Sequence, residues 1–100
     1  MLVLSHADVE RLLPMEECIE VMSDALAGLA RGELYQPLRS VVRPPDAAGF
    51  FGLMPGHRGG ERSAFALKAV MIMPGNPARG LDAHQGAVLL SNGETGELEG

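Results

Sequence analysis

This chain is poor in cysteine, in basic residues and in long apolar runs, and each shortage closes off a class of function. The one cysteine, Cys18, has no partner for an internal disulfide. A lone thiol on the apolar side of a helix reads as a small core residue, in keeping with a reducing cytosol. Eight basic residues stand against thirteen acidic ones, for a net charge of −5. No basic cluster is longer than a pair, so nucleic-acid binding has no electrostatic footprint. No run approaches the ~18 apolar residues of a membrane span, and the opening Met-Leu-Val-Leu-Ser-His-Ala-Asp lacks the features of a secretory signal. Nothing therefore suggests a membrane. Of the three histidines, His6 and His57 share no partners at a metal-site interval, so zinc has little support. There is no Gly-x-Ser-x-Gly elbow, and Gly56, Gly59 and Gly60 do not follow a strand and open a helix as a phosphate loop would.

What is present is apolar material arranged in two periods. Hydrophobic residues make up 46% of the chain, enough for a core and too many for disorder. Met1 to Leu4 reads as a short strand. Ser5 stands at an N-cap position with Asp8 three residues on, opening a helix from His6 to Leu13. From Met15, the positions Cys18, Ile19, Met22, Ala25, Leu26, Leu29 and Ala30 form one helical stripe, with Gly32 as its C-cap. The period then changes to alternation. Strands are expected over Leu38–Arg43, Gly49–Met54 (ended by Pro55-Gly56), Phe65–Met73 and Ala83–Leu90. Residues 91–96 are turn chemistry that closes a hairpin. Only Glu97 to Gly100 remain to return from that turn, so the sequence is expected to stop in mid-sheet. The plan is α+β, with N-terminal helices packed on a mostly antiparallel sheet.

Three side chains on or beside these strands can do chemistry. Lys68 interrupts the apolar run Phe65–Met73. A lysine among core residues needs a carboxylate, a ligand anion, or a route for its ammonium back to water from a sheet edge. Both the ligand and the snorkelling readings stand on the residues alone. Arg39 could hold a carboxylate in two-pronged fashion, or be an ordinary exposed strand arginine. His84, between a loop and a strand, could donate to a substrate or merely bond nearby backbone.

Seven segments, Glu16-Glu17-Cys18-Ile19-Glu20, Gln36-Pro37-Leu38-Arg39, Gly52-Leu53-Met54-Pro55, Leu67-Lys68, Pro74-Gly75-Asn76-Pro77-Ala78-Arg79-Gly80, His84-Gln85-Gly86 and Glu94-Thr95-Gly96, occur in a familiar order and spacing. Together they resemble the N-terminal part of the ornithine cyclodeaminase and mu-crystallin family over essentially the whole chain. The resemblance implies a two-domain, NAD(P)-dependent enzyme, usually a homodimer, acting on a small amino or imino acid. Members include ornithine cyclodeaminase, some alanine dehydrogenases and cyclic imino acid reductases, all working by hydride transfer through an imine. It implies that residues 1–100 are part of a substrate-binding and dimerisation domain, with the Rossmann domain following. Arg39 would hold the substrate carboxylate, Lys68 would act catalytically beside the reacting carbon, Met54 would line the pocket and His84 would meet the substrate. This stretch alone is expected neither to bind NAD(P) nor to turn over, and to expose sheet edges and aggregate. Ala83 departs from the hydroxyl residue common before His-Gln. The other reading is a non-catalytic ligand-binding and dimerisation module of the mu-crystallin type.

Overall fold

A computed structural model describes all 100 residues. Helix α1 spans His6–Leu12, shorter by one residue than expected. Its start is a capping box: Ser5 Oγ accepts from the Asp8 N–H at 3.2 Å, and Asp8 Oδ2 accepts from the Ser5 N–H at 2.9 Å. Those bonds from Ser5 hold the Asp8 carboxyl below its ordinary value. Pro14 separates α1 from α2, Met15–Ala30, the five-turn stripe read from the sequence. Beyond it, Gly32 takes a left-handed φ of 78° and turns the chain towards the sheet. Arg31 there donates to both Glu33 carboxylate oxygens, at 2.8 and 3.2 Å, and lowers the Glu33 carboxyl.

The α+β class holds, with five antiparallel strands: β1 Leu34–Tyr35, β2 Ser40–Val42, β3 Phe50–Arg58, β4 Ala64–Ile72 and β5 His84–Asn92. Strand β4 lies at the centre, between β3 and β5. Both β1 and β2 pair with the outer edge of β3, at opposite ends of it. The expected strand at Met1–Leu4 is not formed; its backbone gives one bond to the sheet's last turn, from the Leu2 N–H to the Glu99 carbonyl at 2.8 Å. Conversely, Glu97–Gly100 do return alongside β5, through a bridge between Ser91 and Leu98.

Pro55-Gly56 does not end β3. The strand runs through it to Arg58 because β2 pairs only with Phe51 to Leu53, and β1 only with His57 and Arg58. Pro55 falls in the interval between them, where a missing N–H leaves no ladder bond to a third strand unmade.

Helix α2 meets the sheet only through β1, and α1 meets no strand. Gly28 faces β1 there: a methyl group on it would be in ordinary contact with Leu34 Cγ at 3.8 Å and would crowd only the Glu33 carboxylate, at 3.3 Å. The core is correspondingly thin. Val70, on the central strand, is the one buried hydrophobic side chain, and Asn76 the one buried polar one.

The two faces of the sheet differ in kind. Directly paired residues share a face and neighbours along a strand alternate. On β3, β4 and β5 one face therefore carries Phe51, Leu53, Phe65, Leu67, Met71 and Leu89, with no Asp, Glu, Lys or Arg anywhere on it. The other carries Arg58, Lys68 and His84, with glycines at 52, 56 and 86 between them.

Candidate functional site

Lys68 sits mid-way along the central strand, opposite Met54 on β3 and Val88 on β5. It is not on an edge, so the ammonium reaches solvent because its face of the sheet is open, rather than by snorkelling past a margin. Two hollows meet at it. One, of about 450 Å³, is floored by Met54, Gly56, Ala66 and Val88 and bounded by Leu34 and Gln36. The other, of about 260 Å³, lies between Lys68 and His84. Its floor is Gly86 and Val70, paired with each other one row along. Gly86 brings no side chain into it.

Arg39 lies one residue ahead of β2. Ser40 pairs with Leu53, so continuing that register by one residue brings Arg39 opposite Met54, in the row that contains Lys68. The same extension holds at the other end of β2. Val42 pairs with Phe51, and the Arg43 guanidinium lies 4.2 Å over the Phe50 ring. The formed pairing stops at Ser40, so the line across the charged face is Met54, Lys68 and Val88, with Arg39 just ahead of the strand that borders it. Arg39 lines neither hollow directly. Neither it nor Lys68 forms an ion pair within the chain. An unpaired ammonium over an apolar floor suits a small anion with an apolar body.

His84 is placed by the loop before it. Its backbone N–H donates to Asp82 Oδ1 at 2.9 Å, and the Met73 N–H donates to the Ala83 carbonyl at 2.7 Å, closing the loop against the end of β4. Ala83 takes part through its backbone, so its lack of a hydroxyl leaves this closure intact.

The sequence profile of the ornithine cyclodeaminase/mu-crystallin family matches residues 1–99. The chain belongs to that family. Among its relatives, the Delta(1)-pyrroline-2-carboxylate/Delta(1)-piperideine-2-carboxylate reductase of Azospirillum brasilense is 35% identical over 96 residues. Delta(1)-pyrroline-2-carboxylate reductase 1 of Burkholderia multivorans is 35% identical over 99 residues. Each alignment takes in 96% of this chain and 30% of the relative, so the chain spans about a third of the length of the proteins it matches. The fold agrees. The Thermococcus litoralis Delta(1)-pyrroline-2-carboxylate reductase, solved with NADH and L-proline, superposes with a TM-score of 0.89 at 34% identity, over 98% of this chain and 30% of that one. An archaeal alanine dehydrogenase dimer with bound NAD gives 0.85 at 30% identity, over 97% and 29%.

The residues present do not fit a dinucleotide. Both helices precede the first strand, and neither is opened by a glycine-rich turn, since Ser5 and Pro14 hold the cap positions. What the charged face offers instead is two hollows that meet at the unpaired Lys68. Lys68 and His84 stand out in the sequence; Arg58, which lines the larger hollow, does not, and neither do Asn76 and Asp82, which carry the loop beneath His84. The signal was there in Pro-Gly-Asn-Pro, where an asparagine between prolines invites a turn built on its side chain.

Proposed function

We propose that this chain forms the carboxylate-binding half of the substrate site in an NAD(P)-dependent cytosolic reductase of small cyclic imino acids. The polypeptide it represents would work as a homodimer, with its dinucleotide site in a separate Rossmann domain. The observation that carries this reading is the unpaired Lys68 at the centre of the open face, opposite Met54, with two hollows meeting at it. Its support is that relatives of both kinds, by sequence and by structure, are pyrroline-2-carboxylate reductases.

In this reading the Arg39 guanidinium takes the carboxylate through two parallel N–H bonds, a geometry an ammonium cannot reproduce. Lys68 adds a third charged donor from the sheet's centre, Met54 packs the ring, and His84 meets the substrate from the far side of the Gly86 hollow. Fixing the carboxylate this way orients the C=N carbon before reduction. The cofactor supplies the hydride when bound elsewhere in the protein.

The test uses the polypeptide encoded by the intact reading frame, assayed with NADH and NADPH. Delta(1)-pyrroline-2-carboxylate and its six-membered homologue should be reduced, while ornithine and alanine are poor substrates. Removing a charged hydrogen bond costs about 1.5–3 kcal/mol, so Lys68→Ala should lower kcat/KM roughly 10- to 150-fold with cofactor affinity kept. Arg39→Lys should lose most of the same amount. Cofactor binding without turnover of any amino or imino acid, or unchanged kinetics in Lys68→Ala, would defeat the proposal.

A further inference from the structure

The loop between β4 and β5 is built around one side chain. Asn76 is 8% exposed, and its backbone N–H, its backbone carbonyl and its side-chain Nδ2 are each engaged. Its N–H donates to the Met73 carbonyl at 3.0 Å. Its own carbonyl accepts from the Arg79 and Leu81 N–H groups at 2.8 and 3.0 Å. Its Nδ2 donates to the Asp82 carbonyl at 3.0 Å. That carbonyl also accepts from Gln85 Nε2, at 3.0 Å, while the Asp82 carboxylate holds the His84 N–H. The short helix Pro77–Arg79 and the left-handed Gly80, φ 73°, return the chain to this point. An eleven-residue connection of this composition would otherwise be mobile. Here the side chain of Asn76 and both acceptors of Asp82 tie its exit to its entrance.

We propose that Asn76 and Asp82 are positioning residues for the imino acid site, acting through His84. They fix the first residue of β5 opposite Ile72, so that the His84 ring stands at the rim of the hollow over Gly86, facing Lys68 across it. The proposal rests on the reductase reading above for its kinetic consequence, and on the hydrogen bonds alone for its structural one. Asp82 needs only an acceptor oxygen for this task, so its charge is dispensable. Asn76 needs a donor, so aspartate cannot replace it.

Two measurements on the full-length protein separate these layers. Amide hydrogen exchange at His84 should speed at least tenfold in Asn76→Ala, Asn76→Asp and Asp82→Ala, and stay at the wild-type rate in Asp82→Asn. Steady-state kinetics with Delta(1)-pyrroline-2-carboxylate should show KM raised about tenfold in Asn76→Ala, KM for the nicotinamide cofactor unchanged, and Asp82→Asn near wild type. In a double-mutant cycle, Asn76→Ala should add little to His84→Ala, because both remove one arrangement. Independent, additive losses, or a lower melting temperature with KM unchanged, would make Asn76 a scaffold residue only and overturn the proposal. Unchanged exchange in Asn76→Ala overturns the clamp itself. A wild type that reduces no imino acid instead defeats the reductase reading and the kinetic half, while the exchange result still decides the clamp.

Discussion

Two glycines of the charged face show how much a missing methyl group can decide. A Cβ on Gly86 would collide with the Ala69 carbonyl oxygen and sit 2.9 Å from Val70 Cα, both backbone atoms that cannot step aside. Gly86→Ala should therefore push β5 off the central strand. Overpacking of this kind costs about 1–3 kcal/mol, measurable as a lowered melting temperature in the intact protein. An unaltered melting temperature would show that β4 and β5 tolerate more separation than their pairing implies. Gly56 is different. A Cβ there would meet only the Tyr35 carbonyl oxygen, at 3.8 Å, which is ordinary contact. Gly56→Ala should leave stability unchanged or raise it by up to about 1 kcal/mol. Since Gly56 floors the larger hollow, the same change should raise KM for a ring-bearing substrate; equal KM in both proteins would place the substrate elsewhere on the face.

Helix α1 has seven residues, touches no strand and lives on its cap. The Asp8 carboxyl is lowered because the Ser5 N–H and hydroxyl favour its charged form, the backbone bond most. A lowered carboxyl contributes stability above its ordinary pKa of ~4 and loses it as pH falls through the folded-state value. Amide protection in α1 should therefore persist at neutral pH and fade on acidification below about pH 4. Asp8→Asn should remove most of that pH dependence, whereas Ser5→Ala, which keeps the backbone N–H, should remove only the hydroxyl's smaller part of it together with about 1 kcal/mol of local helix stability. An Asp8→Asn helix that still melts with acid over the same range would assign the effect to another group. Both helices were legible in the sequence because their cues are local: a cap, a stripe at three- and four-residue spacing, a terminal glycine. The long reach of β3 was not. Pro55-Gly56 looks like a breaker to any local rule, and only the division of its outer edge between β1 and β2 excuses it. Strand β1, two residues long, has no period to detect. The site was legible as residue types, with Lys68 conspicuous in an apolar run. The row that sets it between Met54 and Val88 was not, because register is set by two separate pairings.

As a whole the molecule exposes 7986 Å², against roughly 5500 Å² for a compact monomer of this mass. Its radius of gyration is 15.6 Å, against about 13 Å for a compact domain of 100 residues. The excess lies on both faces of the sheet, where Val88 is 63% and Phe65 51% exposed, and on the stripe of α2, where Ile19 and Leu26 are each 61% exposed. A single layer of sheet with helices displaced to one end cannot cover either face by itself. Residues 1–100 expressed alone should self-associate on sedimentation and bind a hydrophobic dye, whereas the intact protein should do neither beyond a defined oligomer. A monodisperse, dye-silent fragment would mean that the apolar face is covered by rearrangement within these residues.

The margins of the sheet add a geometric consequence. On one side, the proline interval and the two short strands flanking it leave no straight stretch of β3 for an incoming chain to match. On the other, the returning tail occupies only the Leu90 to Asn92 end of β5, and between His84, whose N–H Asp82 holds, and Leu90 the strand presents its outward amides and carbonyls in sequence. Any lengthening of this sheet by a foreign strand therefore has one seam at which to begin, starting beside His84 and running away from the loop that Asn76 holds.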